Sequence, residues 1–385
     1  MSRIYLDNAA TSWPKPEAVY QIVDRCQREL GAAAGRGGSR EAAEVGRLME
    51  EARGRIAELI GAEHPRQIAF TFNGTDSLNL AIHGTLRPGD HVVTTVLEHN
   101  SILRPLRNLQ EAGTILVSYV PCNAEGIVDP QAVEDALTPQ TRMIAMLHAS
   151  NVTGAIQPAA EVGEIAKRRG VLYLLDAAQS VGHLPLNVAE LQADFLAAPT
   201  HKGLLGPLGG GFLYVAPGRE EQLAAIRQGG TGTRSEDDRQ PLSLPDKYES
   251  GNHNTLAILG AGAGAAFVQQ RGMELLREEQ RLTRVLWEGL RRIPQVSLYG
   301  PEDPQKRLGV VSFNMEGVDP RELAAALDAA CSVQIRAGVQ CAPRMHQALG
   351  TTELGGTARM SLGAFNTEEQ LHAAIEAVEE IAEAF

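Results

Sequence analysis

At 385 residues, with 43% hydrophobic and 21% charged side chains, the chain reads as globular and too long for one ordinary compact core. Its formal charge of −12, with no compensating basic run, excludes a general nucleic-acid or anionic-membrane surface, because such surfaces recruit clustered cations. Four cysteines without CxxC spacing exclude a disulfide framework and a zinc knuckle, and no metal site is expected.

Residues 1–16 read as an extended arm. Its start, MSRIYLDNAAT, lacks the charged-then-apolar pattern of a secretory leader, so a cytoplasmic location is expected. A helix over 17–30 aligns Val19, Ile22, Val23, Cys26 and Leu30 on one face. A glycine-rich connector, 31–39, leads to an amphipathic helix near 41–60. Strands and helices then alternate: strand 67–72 with helix 75–86, 91–96 with 100–112, 114–120 with 130–137, and 142–148 with 158–169. Strands 171–175 and 195–198 follow. The strands are continuous apolar runs, as expected where helices cover both faces of a sheet. An α/β fold with a doubly wound, mainly parallel sheet is therefore expected, its ligand lying beyond the strand C-termini.

The polar segment 228–254 reads as a long functional loop. Helices near 255–270 and 273–292 come next; the small-and-apolar run 257–268 is too short to span a bilayer and reads as buried. Strands 295–299 and 307–314, helix 320–331, strands 333–336 and 357–362, and helix 367–384 make a smaller α+β unit. The boundary falls near 266, giving a large domain of 17–265 and a small one of 1–16 with 266–385.

The chemistry collects at the strand ends. Asp176 closes one apolar run, and 26 residues later Lys202 follows another and enters a glycine-rich turn. That is about one strand–crossover–strand unit, so both can emerge on one sheet edge. Of only five lysines, Lys15, Lys167, Lys247 and Lys306 lie in polar or proline-flanked settings; Lys202 alone follows an apolar strand. An acid and a lysine so placed suit pyridoxal 5′-phosphate, the acid facing a protonated ring nitrogen and the lysine a carbonyl carbon. Asn73-Gly74-Thr75-Asp76 opens a helix and could hold an anion, although an ordinary N-cap reads the same way. His99 could stack on a flat ring or remain a solvated loop histidine. Asn151 could donate to a ring oxygen, and Gln179, three residues after Asp176, could face the same ring. Cys26 and Cys331 read as core residues, while Cys122 is open to either role. Cys341 sits in the loop RAGVQCAP with Arg336 nearby, a setting for a thiolate nucleophile as well as for an inert loop thiol. Arg359 could clamp a carboxylate or make a surface ion pair.

LDNAAT at 6–11, EHNS at 98–101, SNVTG at 150–154, DAAQ at 176–179, HKGLLGP at 201–207, GGTGT at 229–233 and RAGVQCAP at 336–343 occur in an order and spacing that resemble PLP-dependent cysteine desulfurases. These belong to the class V aminotransferase group, SUF-like branch, and the likeness runs from Tyr5 to Thr367. The resemblance implies PLP fold type I and a homodimer with active sites at the subunit interface. It implies that Lys202 forms the imine, His99 stacks on the ring, Asp176 pairs with the ring nitrogen, and Gln179 with Asn151 faces the phenolic oxygen. Gly74, Thr75, Thr200 and His201, with Asn252 reaching across the interface, would hold the phosphate. Cys341 would accept sulfur from L-cysteine, with Arg359, Asn151 and Arg336 binding substrate, and would pass it to an acceptor protein or thiol for iron–sulfur or thio-cofactor assembly.

Three positions depart from the family pattern: Gln340 replaces a usual histidine, Pro199-Thr200 a usual Thr/Ser-Gly, and Asn252-His253 a usual Thr-Pro. The alternatives are a selenocysteine lyase, or another PLP-dependent C–S lyase that does not require Cys341. A non-catalytic sulfur-carrier scaffold stands further off.

Overall fold

The computed structural model describes residues 3–34, 38–233 and 236–384. Residues 1–2 of the arm, 35–37 of the connector, 234–235 of the long loop and the terminal Phe385 lie outside the described residues.

A short strand, β1 (Ile4–Tyr5), precedes helices α1 (Glu17–Arg25) and α2 (Arg40–Leu59). Strands and helices then alternate: β2 (Ile68–Thr71), α3 (Gly74–Thr85), β3 (His91–Thr95), α4 (Asn100–Glu111), β4 (Leu116–Val120), α5 (Pro130–Asp135), β5 (Thr141–Leu147), α6 (Ala159–Arg169), β6 (Leu172–Asp176), β7 (Phe195–Pro199) and β8 (Gly211–Val215). The seven strands β2–β8 form one sheet in the order β2-β8-β7-β6-β5-β3-β4. Only β8 runs antiparallel to its neighbours. Every residue of β6, β7 and β8 is buried, as their unbroken apolar runs require of strands covered on both faces. β2 and β4 are the edge strands, and β4 leaves Leu116 exposed.

Helix α7 (Thr255–Arg291) leads to β9 (Val296–Tyr299), β10 (Val310–Met315), α8 (Pro320–Cys331), β11 (Val333–Gln334), β12 (Arg336–Gly338), α9 (Pro343–Ala348), β13 (Thr357–Ser361) and α10 (Glu368–Ala384). A second sheet, antiparallel throughout, has the order β12-β13-β10-β9. β1 pairs with β11, so the N-terminal arm joins this smaller unit, and Leu6 is buried in its core.

Several expected boundaries shift. The two helices expected over 255–292 are one helix of 37 residues. Gly272 weakens it by only about 1 kcal/mol. Packing at both ends outweighs that, since Ile258, Leu259 and Ala265 lie in the large core and Leu282, Leu286 and Leu290 in the small one. The helix expected over 17–30 ends at Arg25 and continues as a π-helical turn, Cys26–Leu30, closed by Gly31 at φ 50°. β10 starts at Val310 rather than 307 because Arg307 turns inward: its guanidinium donates to the carbonyls of Pro301 at 2.6 Å and Thr153 at 3.0 Å, and to that of Val310. Residues 333–336 divide between β11 and β12. α9, unforeseen in the sequence, opens on Pro343, whose missing N–H is harmless in a first turn.

Candidate active site

Five strand ends meet at one edge of the large sheet. After β2, the Asn73 side chain accepts from the Asp76 N–H at 2.9 Å and caps α3. A Cβ on Gly74 would lie 3.2 Å from Pro199 Cδ, so glycine lets the α3 N-terminus approach the end of β7. After β3, His99 caps α4: its Nδ1 accepts from the Ser101 N–H at 3.1 Å. The hydroxyls of Thr75 and Ser101 lie 2.7 Å apart, and Ser101 Oγ lies 2.8 Å from His99 Nδ1. Burial, reinforced by the positive charges of Lys202 and Arg104, pulls the His99 imidazole down to about 4, so it is neutral at physiological pH.

Asp176 is the last residue of β6. Burial pushes its carboxyl above the ordinary range; the Ala178 N–H, donating at 2.9 Å, and the Lys202 cation oppose that rise. Lys202 follows β7. Burial pulls its ammonium down to about 8, against the attraction of Asp176. His201 is held near 4 by burial and by Lys202 and Lys15. Its Nδ1 is buried without a partner among the described residues, as is Asn151 Oδ1. Gly74, Thr75, His99, Asn151, Asp176, Gln179, His201 and Lys202 all line one cleft of about 230 Å³, room for a small planar ligand and not merely for one or two waters of roughly 30 Å³ each.

The smaller unit meets the cleft through Asn151. Arg359, on β13 and 3% exposed, donates to Asp7 Oδ1 at 2.6 Å and to the Asn151 carbonyl at 2.9 Å, and its Nε has no partner among the described residues. Cys341 is exposed. Its carbonyl accepts from the Asn100 N–H at 2.7 Å, beside His99, and the Asn151 side chain donates to the Gln340 carbonyl at 2.7 Å.

Cys341 and Arg359 do not themselves line the cleft, and three more expected residues, Thr200, Arg336 and Asn252, also stand outside it. The Thr200 hydroxyl is fully buried and lies 3.0 Å from both the Pro207 and the Gly210 carbonyls, where it braces the turn backbone. Arg336 is exposed on β12, across the strand pair from Arg359. Asn252 is exposed and lines a separate hollow with Cys26, Thr231 and His253.

Sequence reasoning passed over several supports. Asp7, in the LDNAAT motif, is the partner of Arg359. The His201 carbonyl accepts from the Ser12 N–H at 3.0 Å, Ser12 Oγ at 3.0 Å, Thr11 Oγ1 at 3.2 Å and Lys15 Nζ at 3.1 Å, so the N-terminal arm fixes the peptide next to Lys202. Burial lowers Lys15 itself to about 8. Glu98 is fully buried, accepts from Thr95 Oγ1 at 2.6 Å, and is pushed well above the ordinary range by burial. For Asp7 and the N-terminal arm the motif text was the available signal, because an acid or hydroxyl contacting a distant strand has no local period.

The site offers N–H groups and a hydroxyl for an anion at the α3 N-terminus, a buried carboxylate for a cation, and a buried amine for a carbonyl carbon. That combination on this sheet defines an α/β protein of fold type I with a lysine-centred cleft. The chain belongs to the class-V aminotransferase family, whose model matches residues 4–373. It is 36% identical over 384 residues to a probable cysteine desulfurase of Methanothermobacter thermautotrophicus, covering 98% of this chain and 94% of that one. Among solved structures it resembles the apo cysteine desulfurase of Thermococcus onnurineus NA1, with a TM-score of 0.93 and 33% identity, covering 100% of this chain and 95% of that one. It also resembles the cysteine desulfurase CsdA of Escherichia coli, in its S-sulfonic acid form, with a TM-score of 0.87 and 28% identity and the same coverage. No helix among the described residues is long and apolar enough to cross a membrane.

Proposed function

We propose that the protein is a PLP-dependent cysteine desulfurase that takes sulfur from L-cysteine, releases L-alanine and carries the sulfur as a persulfide on Cys341. The observation that carries this reading is the exposed Cys341 on a turn bonded to Asn100 and to Asn151, a residue that lines the same cleft as Lys202 and Asp176.

The residues fit the cofactor. Asp176 is a buried carboxylate with one N–H donor among its described partners, and a ring N–H would supply the cationic partner that burial demands. His201 Nδ1 and Asn151 Oδ1 are buried polar atoms without partners among the described residues, on two residues that line this cleft. Pyridoxal phosphate, when bound, supplies the electron sink for the pair released at the substrate α-carbon. Gly74, Thr75 and His201 would hold its phosphate, His99 its ring face, Gln179 and Asn151 its phenolic oxygen, and Lys202 its carbonyl carbon.

The chain's own groups perform the remaining work. Arg359 holds the substrate carboxylate, sharing its second arm with Asp7. Lys202, already lowered to about 8, has a neutral fraction near neutral pH that can act as base and take the α-proton. The Cys341 thiolate bonds to the substrate sulfur as the C–S bond breaks, the bonding pair leaving toward the substrate β-carbon. A proton delivered to that carbon and the return of the α-proton from Lys202 complete alanine, and the new S–S bond leaves Cys341 as a persulfide.

Several further readings accompany this one. Asn252, exposed beside His253 and outside this chain's cleft, suits a contact to the phosphate of a second copy, supporting a homodimer. The boundary near 266 is supported by the passage of α7 from the large core to the small one. The sulfur held on Cys341 would pass to an acceptor protein or thiol for iron–sulfur or thio-cofactor assembly in the cytoplasm. The test is product analysis with L-cysteine and L-selenocysteine, wild type against Cys341→Ala. Loss of alanine and sulfide from cysteine with retention of the cofactor's visible absorption band supports the reading; full activity of the variant on cysteine removes it.

A further inference from the structure

Gln340 and Cys341 both have positive φ, 41° and 60°. The Ala342 N–H donates to the Val339 carbonyl at 2.9 Å and closes the turn around them. Two central residues at positive φ are the mark of a type I′ turn, whose middle positions ordinarily fall to asparagine, aspartate or glycine. Neither residue is one of these, and a Cβ disfavours this backbone region, so the conformation persists only where its surroundings impose it.

The Gln340 side chain is the strongest of those restraints. It is buried, and its Nε2 donates to the Thr357 carbonyl at 2.7 Å and lies 3.2 Å from Thr357 Oγ1. Thr357 Oγ1 lies 3.2 Å from Ser312 Oγ, which donates to the Val152 carbonyl at 2.6 Å. The turn is thereby fastened to β13 and β10. The same network reaches the carboxylate clamp: Thr357 precedes Arg359 by two residues on β13, and Asn151 joins the Gln340 carbonyl through its side chain to Arg359 through its own carbonyl.

We infer that Gln340 is a positioning residue, whose carboxamide holds the Cys341 thiol in register with Arg359. This rests on Cys341 being the sulfur acceptor proposed above. The exposed thiol has little packing of its own to hold it, so the direction of Sγ is inherited from the turn. Arg359 fixes one end of the substrate, and a sulfur-to-sulfur attack needs the thiolate aligned with the other.

The experiment compares holoenzymes of wild type, Gln340→Met, Thr357→Val and Cys341→Ala with L-cysteine, each rate expressed per bound cofactor. Gln340→Met keeps the length of the side chain and removes the carboxamide. It is expected to lower kcat by about 10–100-fold, as a misdirected reacting group does. KM is expected to stay within about twofold, because the carboxylate clamp is intact. Thr357→Val, which keeps the accepting carbonyl and loses only the hydroxyl, is expected to lower kcat by about 3–10-fold in the same manner. It carries the test if Gln340→Met does not fold. A purely structural role would lower the melting temperature and leave kcat per bound cofactor unchanged; that result in both variants, with Cys341→Ala inactive, overturns the inference and leaves the desulfurase reading standing. Full activity of Cys341→Ala overturns both.

Discussion

Replacing Lys202 by methionine should make the cofactor-free protein more stable at neutral pH, and the gain should fade in alkali. Burial lowers the ammonium from an ordinary value near 10.5 to about 8. Between those values the folded protein binds fewer protons than the unfolded chain, so stability rises with pH across that window. Below about pH 8 both states are charged and the whole desolvation penalty is present. A depression from 10.5 to about 8 corresponds to a ceiling of about 3 kcal/mol at pH 7. Lys202 lines the cleft and keeps some contact with water, so we expect about 2–3 kcal/mol. By pH 10 the same arithmetic leaves under about 1 kcal/mol. Methionine fills nearly the same volume, so packing changes should be small and independent of pH. Urea unfolding of wild type and Lys202→Met, both without cofactor, at pH 7 and pH 10 gives the double difference. A stability gap that does not shrink with pH would refute the buried, destabilised amine.

Three other outcomes follow from the same geometry. Asp176→Asn removes the carboxylate meant for a cationic ring, and the loss of one such preorganised electrostatic contact should lower kcat by about 100-fold or more, with weaker cofactor retention on dialysis. Arg359→Lys replaces a fork held by Asp7 and the Asn151 carbonyl with a point charge, and should raise KM for L-cysteine by about tenfold or more in steady-state assays. Arg53 and Glu249 form a buried ion pair, at 2.5 and 3.0 Å, and Glu249 also accepts from the Phe70 N–H at 2.7 Å. Arg53→Met should therefore cost about 3–5 kcal/mol in denaturant unfolding, because it strands a buried carboxylate.

The alternation of elements and the strand ends was legible in the sequence where a strand is an apolar run followed by polar residues, as LYLLD closes on Asp176 and FLAAP is followed by Thr200, His201 and Lys202. The convergence of Gly74, His99, Asn151, Asp176 and Lys202 then followed from the topology of a doubly wound sheet. What was not legible depended on contacts distant in the chain. A threonine before His201 has the composition of a phosphate ligand, but the bonds of Thr200 to Pro207 and Gly210 exist only once the glycine-rich turn folds back. The continuity of α7 through Gly272 is decided by two cores, which a local propensity does not contain. Gln340 looks like a simple departure from a motif until its carboxamide is found on Thr357.

The most direct measurement is the mass of the holoenzyme after brief mixing with L-cysteine in the absence of reductant, followed by peptide mapping. The expected result is a gain of one sulfur atom on the peptide containing Cys341, equal in amount to the alanine released and reversed by a thiol. Alanine released with no sulfur gained on Cys341, or sulfur gained equally on Cys26, Cys122 or Cys331, would contradict the account.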